Sequence, residues 1–147
     1  MADYQLIVIG AGPGGYEAAL RAAKLGKKVA VVERREAGGT CLNRGCIPTK
    51  TLLHASAIYR DAKKGAYCGI HTEDIHADMA EIFAYKRAVS QKLSAGIESL
   101  FKTAKIDLLR GTALITGSGC VRVTDVDSSA NDYTCDDILI ATGSVPS

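Results

Sequence analysis

Cys41 and Cys46 stand five positions apart within Gly38-Gly39-Thr40-Cys41-Leu42-Asn43-Arg44-Gly45-Cys46-Ile47-Pro48-Thr49-Lys50. In a chain of this composition a close cysteine pair points to redox or metal chemistry. On a regular helix, with ~1.5 Å rise per residue and a Cα radius of ~2.3 Å, positions i and i+5 lie roughly 8.7 Å apart. A disulfide tolerates only about 7 Å between Cα atoms. If the two bond, the backbone between them must leave regular helix, and Gly45 gives it the freedom to do so. A strained, accessible disulfide is easier to reduce. A helix start lowers the pKa of a thiolate placed there, and Lys50 adds positive charge if the fold brings it near. Two other readings stay open at this point, a half zinc site and a pair of inert thiols. Zinc usually shows a second pair of ligands, whereas Cys68, Cys120 and Cys135 are scattered and His54, His71 and His76 have no fitting partners. The three outlying cysteines read as buried thiols and no metal is expected.

A second constellation precedes the cysteines. Gly10-Ala11-Gly12-Pro13-Gly14-Gly15 fits the G-x-G-x-x-G pattern between an apolar run and an alanine-rich segment. Gly10 permits a tight turn, Gly12 lets backbone approach a pyrophosphate, and Gly15 lets helix and strand pack closely. Pro13 and Gly14 open the helix, whose first turn offers free N–H groups and a positive dipole end to phosphates. Glu33 follows Gly15 at the distance expected of an acid that accepts hydrogen bonds from an adenosine ribose diol. Arg34 and Arg35 beside it read as exposed charge rather than as a 2′-phosphate site. The fingerprint alone does not separate FAD from NAD.

The elements that must carry these groups are legible from pattern. Gln5 to Ile9 and Lys28 to Glu33 are short, nearly continuous apolar runs, expected as parallel strands buried on both faces. Gly14 to Leu25 is expected as the crossover helix of a βαβ unit, stopped by Gly26. Pro48 to Lys64 reads as helix. Asp78 to Lys105 contains another, with Ile82, Tyr85, Val89, Leu93, Ile97, Leu100 and Phe101 as an apolar stripe expected to face the core. Short β-type runs at Leu108 to Ile115, Cys120 to Val126 and Tyr133 to Cys135 suggest an antiparallel meander, and Ile138 to Ile140 a last buried strand before Ala141-Thr142-Gly143-Ser144. The expected fold class is α/β, a Rossmann-like arrangement of parallel sheet and flanking helices with an antiparallel β-meander.

Bulk composition narrows the field. The 147 residues, 47% hydrophobic and 23% charged, suffice for one globular domain with a real core. Eighteen basic and sixteen acidic residues leave +2 with no basic arm, so nucleic acid is not an expected partner. No apolar run approaches the roughly 20 residues of a membrane helix. Met1-Ala2-Asp3-Tyr4 runs straight into the first strand without signal-peptide features, which reads as cytoplasmic.

With these motifs in order, the cysteine segment closely resembles the redox-active segment of the class I pyridine nucleotide-disulfide oxidoreductases. Val8-Ile9-Gly10-Ala11-Gly12-Pro13-Gly14-Gly15-Tyr16 before it and Ile138-Leu139-Ile140-Ala141-Thr142-Gly143-Ser144 after it agree with the same family. Cys-Leu-Asn-x-Gly-Cys-Ile-Pro and Gly96-Ile97-Glu98-Ser99-Leu100-Phe101-Lys102 look most like the dihydrolipoamide dehydrogenase branch, with glutathione and mercuric reductases sharing the frame. The resemblance implies that Cys41 is the interchange thiol, that Cys46 is the charge-transfer thiol against the flavin, and that Lys50 lies near the reactive edge of its ring. It implies that FAD, not NAD, occupies the N-terminal fingerprint, with Glu33 on the adenosine ribose. Gly39, Thr40, backbone near Ala113, and the turn Thr142-Gly143 are implied as further FAD contacts. Residues 1–147 would then be the N-terminal part of the FAD-binding domain. A nicotinamide (NAD) domain and an interface domain carrying a His–Glu base pair would follow in a homodimer. The implied partner is a lipoyl-bearing carrier protein of a 2-oxoacid dehydrogenase or glycine cleavage complex. The alternatives are a related flavin disulfide reductase of the glutathione or mercuric type and an inactive nucleotide-binding fragment; residues 1–147 alone are expected not to turn over, since the resemblance puts the His–Glu base pair in a domain that follows.

Overall fold

The computed structural model of the chain describes residues 2–144; residue 1 and the terminal Val145-Pro146-Ser147 lie outside the described residues. In chain order the elements are β1 (Tyr4–Ile9), α1 (Pro13–Lys24), β2 (Val29–Glu33), α2 (Gly39–Asn43), α3 (Cys46–Lys64), a short 3₁₀ turn, α4 (Met79–Thr103), β3 (Asp107–Arg110), β4 (Thr112–Gly117), β5 (Cys120–Thr124) and β6 (Ala130–Ile140). The strands lie in the order β3-β2-β1-β6-β5-β4. The first four are parallel neighbours, and β4, β5 and β6 form the antiparallel meander.

The apolar runs of β1 and β2 are continuous because both of their faces are covered. Val8, Val29 and Val31 point to one side, where Ala19 and Ala22 of α1 and Ile97 and Phe101 of α4 close the core. Ile7, Ala30 and Val32 point to the other and meet Val121 and Val123 of β5 and Cys135 of β6. Small alanines on α1 let the crossover helix settle close to the sheet.

Three sequence expectations change. The run Leu108 to Ile115 is not one meander strand. It divides at Gly111, whose φ of +145° and 2.4 Å separation of a would-be Cβ from the Thr124 carbonyl oxygen suit only glycine. Before that break, β3 pairs with β2 in the parallel sheet. Tyr133 to Cys135 and Ile138 to Ile140 belong to one strand, β6, because Asp136 and Asp137 between them sit exposed without interrupting the ladder. Ile140, expected to be buried, is 64% exposed. Finally, the core-facing line of α4 is Ser90, Ser94, Ile97 and Phe101, while Tyr85, Leu93 and Leu100 are exposed. The buried line is rotated off the apolar stripe because two serines on it serve α2.

Candidate functional site

The glycine turn links β1 to α1. Gly10 takes φ +105°, and a Cβ on it would fall 2.3 Å from the Ala141 carbonyl oxygen, so the turn is pressed against the end of β6. A Cβ on Gly15 would fall 1.9 Å from the Gly10 carbonyl oxygen, the close helix–strand approach expected of that position. Gly38 N–H donates to the Ala11 carbonyl at 2.8 Å, which ties the start of α2 to the same turn.

Glu33, half-buried at the end of β2, accepts from the Ala11 N–H at 2.9 Å through one carboxylate oxygen and from the Arg35 N–H at 2.8 Å through the other. Each oxygen keeps a lone pair for a further donor. A cleft of about 460 Å³ runs past this carboxylate, lined by Gly12, Pro13, Gly14, Gly39, Thr40 and Cys41 among others. An adjoining pocket of about 190 Å³ contains Gly111 and Ala113 and shares Gly10, Glu33, Arg34 and Thr142 with the cleft. Together they make an elongated groove with Ala113 toward one end and Cys41 toward the other. Thr142, shared by both, and Gly143 also line it.

Cys41 lies in α2 and Cys46 is the first residue of α3. Helical geometry stops at Arg44 and Gly45 between them, as the distance argument requires of a bonding pair. A Cβ on Gly45 would meet the Thr40 carbonyl oxygen at 3.2 Å and the Cys41 Cα at 3.5 Å, so glycine lets the turn fold back on Cys41. Both cysteines are free thiols. Hydrogen bonding to the Cys46 side chain pushes the Cys41 thiol above its ordinary range, with burial and the charge of Cys46 acting the same way. A Cys46 backbone N–H and the Lys50 ammonium pull in the opposite direction. At Cys41 the neighbouring sulfur outweighs these lowering influences.

Lys50 sits one turn after Cys46 on α3, exposed, and its charge reaches Cys41 although it does not line the groove. Gly15 and Cys46 also lie outside the lining. Of the remaining cysteines only Cys135 is buried; Cys68 is exposed and Cys120 intermediate, against the expectation of buried thiols. His54, His71 and His76 are exposed. Among the described residues no group of three His, Cys, Asp or Glu side chains could hold a metal ion, and no helix is long and apolar enough to cross a membrane.

The bracing of α2 escaped the sequence reading. Ser94 Oγ donates to the Ala37 carbonyl at 2.9 Å and Ser90 Oγ to the Leu42 carbonyl at 3.1 Å. Asn43 Nδ2 donates to the carbonyls of Ala37 and Gly39 at 3.0 and 3.1 Å. The available signal was two serines four apart in helical line with Ile97 and Phe101, a polar pair where core was due.

Residues 4–147 match the family described as pyridine nucleotide-disulphide oxidoreductase. The chain belongs to that family. Among curated relatives, it is 44% identical over 145 residues to the dihydrolipoyl dehydrogenase of Chlorobaculum parvum, covering 99% of this chain and 31% of that protein. It is 46% identical to the dihydrolipoyl dehydrogenase of Geobacillus stearothermophilus (98% and 30% covered) and 47% identical to that of Bacillus subtilis (95% and 30%). The chain therefore spans about a third of the length of these relatives. As a member of this family, the chain presents a groove lined toward one end by Cys41 of the thiol pair. That arrangement fits a nucleotide cofactor extended along the glycine turn.

Proposed function

We propose that the chain is the N-terminal part of the flavin-binding domain of a dihydrolipoyl dehydrogenase, and that Cys41 and Cys46 are its redox pair. The observation that supports this best is the placement of Cys41 in the same groove as Gly12, Glu33 and Thr142, with the free thiol of Cys46 across a glycine break and near enough to raise the Cys41 pKa. The branch is favoured by the three dihydrolipoyl dehydrogenases above.

The groove fits an FAD. Gly12 and Gly39 approach so closely that a Cβ on Gly39 would fall 2.7 Å from the Gly12 Cα, and space at Gly14 is open. A pyrophosphate would lie along Gly12, Pro13 and Gly14 at the positive end of α1. Glu33 would accept from the adenosine ribose, with the adenine toward Ala113. Gly39, Thr40 and the turn at Thr142 and Gly143 would flank the part of the cofactor nearest Cys41, with Lys50 beyond it. When bound, the flavin supplies a two-electron acceptor between thiols and nicotinamide.

The chain's own contribution is thiol exchange. A thiolate of a dihydrolipoyl group attacks Cys41 Sγ of a Cys41–Cys46 disulfide, forming a mixed disulfide and releasing the Cys46 sulfur. The second substrate thiolate then attacks the substrate sulfur of that mixed disulfide, closing the lipoyl ring and releasing Cys41. Two electrons have passed from substrate to the pair, and the two substrate protons end on its sulfurs or in solvent. Shared hydrogen bonding with Cys46 favours a protonated Cys41 in the product.

Oxidised chain treated with dihydrolipoamide, quenched by alkylation and read by peptide mass should label Cys41 and Cys46 together. In Cys46→Ser, the Cys41 thiolate should instead attack the ring disulfide of oxidised lipoamide, leaving a mixed disulfide on Cys41 and a released lipoyl thiol that the alkylating agent captures. Labelling confined to Cys68, Cys120 or Cys135 would refute the assignment.

A further inference from the structure

Arg44 lies between the two cysteines, and its side chain leaves the turn to meet Glu36, with Nη2 donating to a carboxylate oxygen at 2.8 Å. Its own N–H donates to the Thr40 carbonyl at 2.9 Å, closing α2 one residue before the Gly45 break. Glu36 immediately precedes an anchored stretch. The next residue, Ala37, is buried and its carbonyl accepts from both Asn43 and Ser94, while Gly38 is bonded to the glycine turn. The guanidinium thus joins the one irregular stretch between the sulfurs to a loop held by three other segments. The other acid nearby, Glu98, is engaged by Arg110.

We propose that the Glu36–Arg44 ion pair is a positioning device that holds the turn from Cys41 to Cys46 in the shape required for ring closure. Arg44 and Glu36 are positioning residues, since neither reaches a sulfur. The inference rests on the redox reading of Cys41 and Cys46 and adds to it what sets the balance between thiols and disulfide. Closing the bond requires Gly45 to stay packed against Cys41, within the contact that a 3.5 Å would-be Cβ separation describes. A free turn gains conformational freedom when the bond opens, and a tethered one gains less, so the tether favours the disulfide. The pair is half exposed, at 45% and 55%, so its effect is small and sensitive to salt.

The test is the equilibrium of the chain with reduced and oxidised glutathione, in which the disulfide and two glutathione thiols exchange for the dithiol and one glutathione disulfide. Arg44→Met and Glu36→Gln should each lower the equilibrium constant for disulfide formation about two- to five-fold at low ionic strength, the range of an exposed ion pair. In ~1 M NaCl, where screening acts within about 3 Å, the difference from the parent should largely vanish. Arg44→Lys and the exchanged pair Glu36→Arg with Arg44→Glu should both return toward the parent value. Variants equal to the parent at low salt, or a deficit that persists in high salt and in the exchanged pair, would overturn the tether. A parent chain that never closes a Cys41–Cys46 bond would instead overturn the redox reading on which it rests.

Discussion

Gly39 and Gly12 touch backbone to backbone, the helix that carries Cys41 resting against the turn expected to hold phosphate. Because Gly39 sits at φ +60°, a side chain there is strained as well as crowded. Gly39→Ala should therefore push α2 off the turn and reduce flavin retention at least ten-fold while Cys41 and Cys46 still oxidise. Fluorescence titration with FAD, alongside thiol counting, checks both halves of that outcome.

The two neighbouring glycines of α1 should separate folding from binding. Gly15→Ala places a carbon on the Gly10 carbonyl and should cost about 3 kcal/mol, lowering Tm by roughly 6–12 °C in a chain of this length. Gly14→Ala meets nothing within 4 Å and should leave Tm unchanged or slightly raised, since alanine favours helix. Its effect should appear only as weaker FAD binding, because Gly14 lines the cleft. Thermal melts with and without FAD distinguish the two.

Reactivity of Cys41 should depend on its partner. The Cys46 side chain is the largest cause of its raised pKa, and Lys50 opposes it. In Cys46→Ala the onset of Cys41 alkylation by iodoacetamide should move to lower pH, and in Lys50→Met to higher pH. Rate against pH, followed at the Cys41 peptide, measures both shifts.

Alkaline stability should report on Tyr4. Burial first, then the hydrogen bond to Asp107 at 2.9 Å and that residue's charge, raise the phenol far above its ordinary value. A group raised on folding contributes its full stabilisation below its unfolded pKa, about 10, and loses it as pH climbs through the folded value. The parent should weaken progressively above about pH 10. Tyr4→Phe should begin about 1 kcal/mol less stable at neutral pH and show a shallower decline. Urea unfolding at a series of pH values tests the sign.

The parts of the molecule that sequence disclosed are those governed by local rules. The Gly10 to Gly15 turn, Glu33 at the end of β2, and the Gly45 break each follow from backbone sterics within a few residues, and the structure brings Cys41, Gly12, Glu33 and Thr142 to one groove. What stayed hidden depends on partners distant in the chain. Gly111 reads as an ordinary glycine until β5 lies against it, and the division between β3 and β4 is set by that contact. Ser90 and Ser94 are polar on the inner face of α4 because the carbonyls of Leu42 and Ala37, 48 and 57 positions away, need donors. Periodicity alone placed Leu93 and Leu100 there instead, and they face outward. The Glu36–Arg44 contact spans a turn whose shape no propensity encodes.

Strand β6 pairs with β5 through Ala130 to Thr134 and with β1 through Cys135 to Ile140, one continuous ribbon stitched into two differently oriented ladders. Side chains alternate along it, so a slip by a single position would invert every inward residue in both ladders at once. It would also displace Thr142 relative to Gly10, since the Ala141 N–H is fastened to the Ile9 carbonyl at 2.8 Å. The remote hairpin thus acts as a ratchet stop for the groove, and damage at its tip should be felt where the cofactor is expected to bind.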